Sequence, residues 1–462
     1  MKFFEILKNT SRQSLYTPMY ILACGVITFF SWLTNNSLIG MILLISVMCI
    51  VLIVNEDILP ILPILMFIIL TTSNNNILNS NKTWPVLIIL VIFLIGSFIS
   101  HIISYPIKLQ KCKLALPLVA VSIALFAGGV GYLSGKQYMS GLIFIVSLGP
   151  CLLLLYMLIR FYTKPPQGVN YKNYICYIML TLGLIVVAQF CSYILKSDKP
   201  LIDLLRNDVF NLGWGNRNGI AMILIISMPC CFYLAYTHKR TSWLYYSLAL
   251  IFYIAILISF SRGGILSSSI ALIFLLIYSF AKGANRSQLI YVICTFAILA
   301  SIIALAYTST LMKLLQKISD MTFTSSGRNT LYEEAMYNFV SNPMFGAGIG
   351  YVGNNFNMPD FCIYWYHSTI FQIIGSTGIL GIFAYAYFYF VRGKIMFNNL
   401  KRFNIILSAS IISFEIHSLV DTGTFTPFPY MFIIIALTAV LEYNNSRENM
   451  TFLKTINVKN EY

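Results

Sequence analysis

Charged side chains are scarce in this chain of 462 residues. Asp, Glu, Lys and Arg make up 10% of it, whereas hydrophobic residues make up 58%. An average soluble domain is about a quarter charged, so this chain has too few charges to cover a water-facing surface. The shortage excludes a soluble enzyme, a disordered protein and a secreted disulfide scaffold. The class that remains is an all-α, polytopic membrane protein.

The sequence also lacks the patterns that hold metals and nucleotides. Its 10 cysteines show no Cys-x-x-Cys or Cys/His metal spacing, and it has only four histidines. There is no phosphate-binding P-loop, no His-Glu-x-x-His and no Asp-x-Asp in an outer loop. A site without an acidic cluster is poorly suited to a divalent metal. We therefore expect no metal and no cofactor.

Acidic residues are half as numerous as basic ones, 15 against 30, which gives a net charge of +15. In a soluble protein this excess would suggest a nucleic acid partner. In a membrane protein, Lys and Arg instead mark the cytoplasmic loops and contact lipid headgroups. We expect membrane lipids and no nucleic acid among the partners.

Long apolar runs are abundant, and a membrane helix needs about 20 such residues. They predict a single transmembrane domain over residues 1–462, with about 14 spans and a range of 12–14. No small-residue cleavage site follows the basic start of the chain, which favours a retained first helix. With most basic residues on one side, both termini are predicted to be cytoplasmic. The candidate spans are 18–34, 38–54, 58–71, 84–104, 114–133, 139–160, 174–195, 218–236, 243–260, 264–281, 289–308, 367–391, 404–420 and 428–442.

One long extracytoplasmic loop, residues 309–366, is predicted between two spans. Its residues 311–321 have the pattern of an amphipathic helix that lies on the membrane. A second helix is predicted over 331–341, where Thr330 and Glu333 fit a capping box. The glycines of 346–350 predict a flexible turn after it.

Three arginines fall at the outer ends of helices: Arg217, Arg262 and Arg328. Their coincidence suggests a bound dianionic or pyrophosphate group at the membrane–water boundary. Snorkelling to lipid phosphates is the alternative for Arg262. Gly263 and Gly264 follow Arg262, and their small size would let a ligand approach the backbone.

The remaining candidates lie around these arginines. Asn216 and Asn218 flank Arg217, and Glu333 lies on the predicted outer helix, so all three are candidate substrate-binding residues. A solvated helix face is the alternative for Glu333. His417 and Asp421, four residues apart, are expected near Arg262; the alternative is a local pair that orients a helix end.

His367 opens a predicted span on the outer side and is the candidate for proton transfer, because the unperturbed pKa of histidine is near neutral. An interfacial histidine with no catalytic role is the alternative.

Three sequence elements, in this order, resemble a known family. They are Ser-Arg-Gly-Gly at 261–264, Gly327-Arg328 followed by a helix and by 342–350, and His367 at the start of a span that continues to Gly381. The order and the long outer loop are similar to the bacterial O-antigen ligase and O-antigen polymerase superfamily, over roughly residues 205–390. The family commonly has Asn after the histidine, whereas this chain has Ser368.

The resemblance implies a C-type membrane glycosyltransferase fold and a metal-independent reaction outside the membrane. The donor would be a glycan linked to undecaprenyl pyrophosphate. By the same resemblance, Arg262 and Arg328 would grip the pyrophosphate, and His367 would activate the acceptor hydroxyl or assist at the donor.

We therefore expect a polymerase of lipid-linked oligosaccharide repeats, in the bacterial inner membrane, that makes O-antigen, capsule or exopolysaccharide. Its partners would be the donor, a glycan acceptor and a chain-length regulator. A ligase that transfers the finished glycan to lipid A core or another acceptor is the close alternative. A lipid-linked oligosaccharide flippase is the alternative from another class, and it would need cations along a central cavity and related halves.

Overall fold

The computed structural model describes residues 13–73, 84–107, 110–197, 210–283, 285–306, 308, 312, 328–353 and 364–459. These residues form helices and connecting loops, with no strand in the described ranges. We number the helices α1 Pro18–Leu33, α2 Ser37–Val54, α3 Leu62–Phe67, α4 Trp84–Ser104, α5 Ala115–Ala127, α6 Gly135–Val146, α7 Leu152–Tyr162, α8 Tyr171–Lys196, α9 Arg217–Thr237, α10 Ser242–Ile258, α11 Arg262–Lys282, α12 Arg286–Ala306, α13 Arg328–Ser341, α14 Thr369–Phe397, α15 Arg402–Ser418 and α16 Phe432–Lys459.

The all-α membrane fold is confirmed. Among the residues that the structure describes, seven helical segments are long and apolar enough to cross a bilayer, and further apolar helices are 10–17 residues long. All the predicted spans fall on these segments except 404–420, which is the more polar helix α15. Helices suit this setting because each backbone N–H and C=O finds its partner within the segment, where lipid offers none.

Polar side chains at the helix starts satisfy the first free N–H groups. Thr17, Asn170, Asn216 and Ser261 each accept a hydrogen bond from the first turn of the helix that follows. Ser134 begins α6 with a complete capping box. Two of these caps, Asn216 and Ser261, stand directly before arginines, so capping also fixes where those arginines lie.

Helix α9 is the centre of the bundle. In its apolar window 94% of the residues are buried, and α8, α10, α11 and α15 pack around it. A helix that is hydrophobic on every side belongs inside a protein. Its first residue, Arg217, therefore lies at the end of the central helix.

Helix α14 is broken at Gly378, where φ is +59°. The N–H of Ile379 donates to the carbonyl of Pro343 at 2.8 Å, and the N–H of Ala347 donates to the carbonyl of Gly375 at 2.7 Å. The 342–350 loop thus supplies the partners that the broken helix lacks. We predicted a flexible turn at 346–350; instead, these residues are buried and held by backbone hydrogen bonds.

The outer loop corrects a second prediction. Helix α13 covers Arg328–Ser341, so Thr330 lies inside its first turn and cannot be its N-cap. The capping box that we predicted at Thr330 and Glu333 is therefore wrong. The predicted helix at 311–321 lies outside the described residues, apart from residue 312.

Arg392 lies within α14, is only 3% exposed and pairs with Glu415 at 2.6 Å. The guanidinium also lies 4.8 Å from the ring centroids of Phe388 and Tyr389. A charge in a buried apolar wall persists only when it is paired in this way.

Candidate active site

Two of the arginine-bearing helix starts are joined by a hydrogen bond. The hydroxyl of Ser261 donates to Asn218 Oδ1 at 2.8 Å. Asn218 follows Arg217 at the start of α9, and Ser261 precedes Arg262 at the start of α11. The bond therefore brings the backbone at Arg217 and Arg262 to one end of the bundle, where two helix dipoles favour an anion.

The proton on Ser261 determines how His417 is oriented. Ser261 Oγ gives its one proton to Asn218 and accepts from the N–H of Gly264, so His417 Nε2, at 3.3 Å, must donate to it. His417 is 1% exposed, and its Nδ1 has no hydrogen-bond partner among the described residues. His417 therefore links α15 to the start of α11.

His367 and Asp421 form the next contact of the site. His367 Nδ1 lies 3.4 Å from Asp421 Oδ1, and the two side chains are 43% and 12% exposed. With Nδ1–H directed at the carboxylate, Nε2 is the ring atom that can accept a proton. His367 has φ +50° and immediately precedes Ser368, the N-cap residue of α14. Strained backbone of this kind clusters at functional sites.

Asp421 is held in its charged form. Burial alone would raise its pKa, but the hydrogen bond with His367, the neighbouring His417 and the N–H of Thr422 together outweigh burial. The pKa of Asp421 therefore lies below its ordinary value. A carboxylate that stays ionised can orient His367 and stabilise the imidazolium that forms when His367 takes a proton.

Helix α13 brings Arg328 to the same region. Arg328 lies close enough to His417 for the two side chains to interact electrostatically. The ring of Tyr332 stacks on Phe371 of α14, with 4.1 Å between the ring centroids and 8° between their planes. The outer helix is thus packed onto the helix that follows His367.

Glu334, rather than its neighbour Glu333, makes the structural contacts of α13. Tyr351 donates to Glu334 Oε1 at 2.8 Å, and Tyr364 donates to Oε2. Glu333 is exposed. Tyr364 lies three residues before His367, so its hydrogen bond with Glu334 holds the segment before His367 against α13. No local sequence signal separates these adjacent carboxylates, because the tyrosines that bind Glu334 come from a distant part of the loop.

The glycines after Arg262 serve the packing of the protein and do not make room for a ligand. A Cβ on Gly263 would lie 2.5 Å from Val420 Cγ2, and one on Gly264 would lie 2.6 Å from Ala221 Cβ. Their small size therefore lets α11 approach α9 and the end of α15. Our interpretation that they open the backbone to a ligand is wrong.

The structure brings together five of the candidate residues directly or through Ser261: Asn218, His417, Asp421, His367 and Asn216, the last as the cap of the same turn as Asn218. Arg262 is exposed, while Arg217 and Arg328 are half-buried. Glu333 makes no contact that ties it to this group in the described residues. Within the same residues, no cluster of three or more His, Cys, Asp or Glu could hold a metal.

Part of the chain is similar to a known protein family. Residues 246–386 match the family model described as O-antigen ligase. This segment contains Arg262, Arg328 and His367, while Arg217, His417 and Asp421 lie outside it. No curated protein matches the chain. The resemblance to the O-antigen ligase and polymerase superfamily is thereby confirmed.

Proposed function

From the O-antigen ligase domain at residues 246–386, we propose that this membrane protein is a glycosyltransferase that uses a glycan on undecaprenyl pyrophosphate as donor. The observation that carries the proposal is the hydrogen-bonded group Asn218–Ser261–His417 beside the His367–Asp421 pair. It gathers two arginine-bearing helix starts and one histidine–carboxylate pair at a single end of the bundle. A pyrophosphate leaving group and a hydroxyl acceptor need these two kinds of group side by side.

The proposed reaction breaks the bond between the anomeric carbon and the pyrophosphate oxygen. The acceptor hydroxyl oxygen forms the new bond to that carbon, and its proton passes to His367 Nε2. Undecaprenyl pyrophosphate leaves with the electron pair, and Arg262, Arg328 and Arg217 stabilise the charge that develops on it. Asp421 keeps His367 in the tautomer that can accept the proton.

The acceptor that we favour is a second lipid-linked repeat unit, which makes the protein a polymerase of surface polysaccharide. A ligase, with lipid A core or another envelope component as acceptor, is the second candidate, and the family description favours it. Both use the same donor and the same chemistry. A flippase is less well supported, because the candidate cations start helices at one end of the bundle instead of following a central cavity. A role for Glu333 in acceptor binding, a chain-length regulator and cytoplasmic termini remain parts of the proposal.

The experiment that separates the acceptors is a gel of surface and lipid-linked glycan from a deletion strain. The strain is complemented with the wild-type protein or with His367→Ala. For a polymerase, the variant leaves single repeats on the final acceptor. For a ligase, it leaves full-length polymer on undecaprenyl pyrophosphate. Normal surface glycan with the variant would remove His367 from the site.

A further inference from the structure

Two apolar cavities lie along α15 and share the side chains of Ile412 and Ile416. The first, of about 410 Å³, lies between α15 and residues of α14 on both sides of its break. The second, of about 460 Å³, lies between α11, α15 and the end of α14. Because they share wall residues, we treat them as one feature, the α15 groove.

One end of the α15 groove opens beside the candidate active site. Thr369 and Leu419 line that end, and they lie two residues from His367 and from Asp421 respectively. The other end is lined by Ile405. From Leu419 to Ile405 the helix is about 21 Å long, at ~1.5 Å per residue. The groove therefore extends from the reacting groups into the apolar part of the bundle.

One buried polar atom at the head of the groove lacks a partner. Thr369 Oγ1 has no hydrogen-bond partner among the described residues, and Thr369 is 3% exposed. Buried donors without partners are costly and rare in native structures. Arg392, further along the wall, binds Glu415, so the pair adds no net charge to the wall. An occupant that is apolar along its length and carries oxygen at its head fits these features.

We propose that the α15 groove binds the polyprenyl chain of the donor lipid, with the Thr369 hydroxyl donating to the phosphate oxygen at the head of that chain. The inference rests on the proposed function, because that function supplies the polyprenyl pyrophosphate. Its support is the continuity of the groove with the His367–Asp421 pair, its apolar lining and the unpartnered hydroxyl at its head. The pyrophosphate then lies at the arginine-bearing end and the chain along α15.

The test is to fill the groove with a larger side chain. Ile412→Trp and Ile416→Trp place an indole in the shared wall. Ile273→Trp is the matched control, since Ile273 lies on α11, is 58% exposed and does not line either cavity. Equilibrium binding is measured with the full chain in nanodiscs. The two probes are undecaprenyl pyrophosphate and the short-chain geranyl pyrophosphate.

Filling the groove should raise the Kd for undecaprenyl pyrophosphate by about tenfold or more, since lost apolar pocket contacts have effects of this size. The Kd for geranyl pyrophosphate should not change in the Ile412→Trp and Ile416→Trp proteins, and the control should bind both probes normally. An unchanged Kd for the long-chain probe would overturn the proposal. So would an equal rise for both probes, because that would locate the effect in the pyrophosphate site.

Two further measurements test whether the groove binds bulk phospholipid and whether the proposed function itself holds. If added phosphatidylglycerol displaces undecaprenyl pyrophosphate at similar concentrations, the groove belongs to bulk phospholipid and the proposal fails. If the wild-type protein binds neither pyrophosphate probe, the proposed function itself fails. Normal binding by the wild type together with normal binding by both groove variants would overturn the groove alone.

Thr369 gives an independent check at the head of the chain. Thr369→Val removes the hydroxyl while keeping the shape, and it should raise the Kd for both probes by about threefold to tenfold, the usual effect of one hydrogen bond. Thr369→Ser should bind both as the wild type does. Wild-type binding by Thr369→Val would contradict the proposed contact.

Discussion

At the scale of single residues, His417 is expected to act through its neighbours and not on the substrate. It is buried, and it donates through Nε2 to Ser261, which caps the helix that starts with Arg262. A substitution of His417 should therefore lower the transfer activity only if it removes this hydrogen-bond donor. The side-chain amide of Gln can reach the place of Nε2, whereas that of Asn is too short.

The corresponding prediction compares His417→Gln with His417→Asn. We expect Gln to keep most of the wild-type kcat/KM for glycan transfer, and Asn to lose about tenfold, which corresponds to ~1.4 kcal/mol. The measurement is steady-state transfer by the purified variants at matched expression. Because the effect should pass through Ser261, His417→Asn should add little to Ser261→Ala in a double-mutant cycle. Additive losses would show that His417 acts elsewhere.

Asp421 should be needed as a carboxylate over the whole working pH range. Its folded pKa is lowered, so its contribution to stability is present above the unfolded pKa of about 4 and is lost only as the pH falls through the lower folded value. Asp421→Asn should reduce kcat by about 100-fold or more and leave KM within a few-fold. A pH profile of kcat/KM supplies the check: a wild-type transition near pH 6 assigned to Asp421 would contradict this account.

At the scale of elements, the break in α14 and the 342–350 loop stabilise each other. Gly378 has a positive φ, and a Cβ there would lie 2.5 Å from the carbonyl oxygen of Pro343. Gly378→Ala should lower the free energy of unfolding by about 2 kcal/mol or more, from backbone strain and overlap. Gly393→Ala in the same helix meets nothing within 4 Å and should stabilise the protein slightly. Thermal melting of both variants in detergent tests the prediction; equal melting temperatures would rule it out.

The outer helix α13 should act through Glu334. Glu334→Gln weakens the acceptor for Tyr351 and Tyr364, which hold the segment before His367. We expect it to lower kcat several-fold, since a small displacement of a reacting group is costly. Glu333→Gln is the adjacent comparison: Glu333 is exposed and is proposed to bind the acceptor, so its substitution should raise KM for the acceptor and leave kcat unchanged. An unchanged kcat in Glu334→Gln would contradict the role that we give to Glu334.

At the scale of the whole molecule, local signals in the sequence were enough to predict the helices and to place Arg262 and His367 at helix starts. Arg262 and His367 stand next to helix starts, which apolar runs reveal. Contacts between distant segments could not be predicted. The Arg392–Glu415 pair and the hydrogen bonds between the 342–350 loop and α14 depend on which helices become neighbours. For the same reason, we interpreted the glycines at 263 and 264 as room for a ligand, whereas they allow close packing between helices.

We propose that one end of this bundle transfers a glycan from a polyprenyl pyrophosphate. The most direct measurement uses the purified full chain with an oligosaccharide linked to undecaprenyl pyrophosphate, and it follows both glycan products and released undecaprenyl pyrophosphate. We expect transfer by the wild-type protein with equimolar release of the carrier. We expect loss of both products in Arg262→Ala and His367→Ala, with Ile273→Trp as an active control. Equal transfer by His367→Ala and the wild type, or no transfer by a wild-type protein that binds the donor and acceptor, would contradict it.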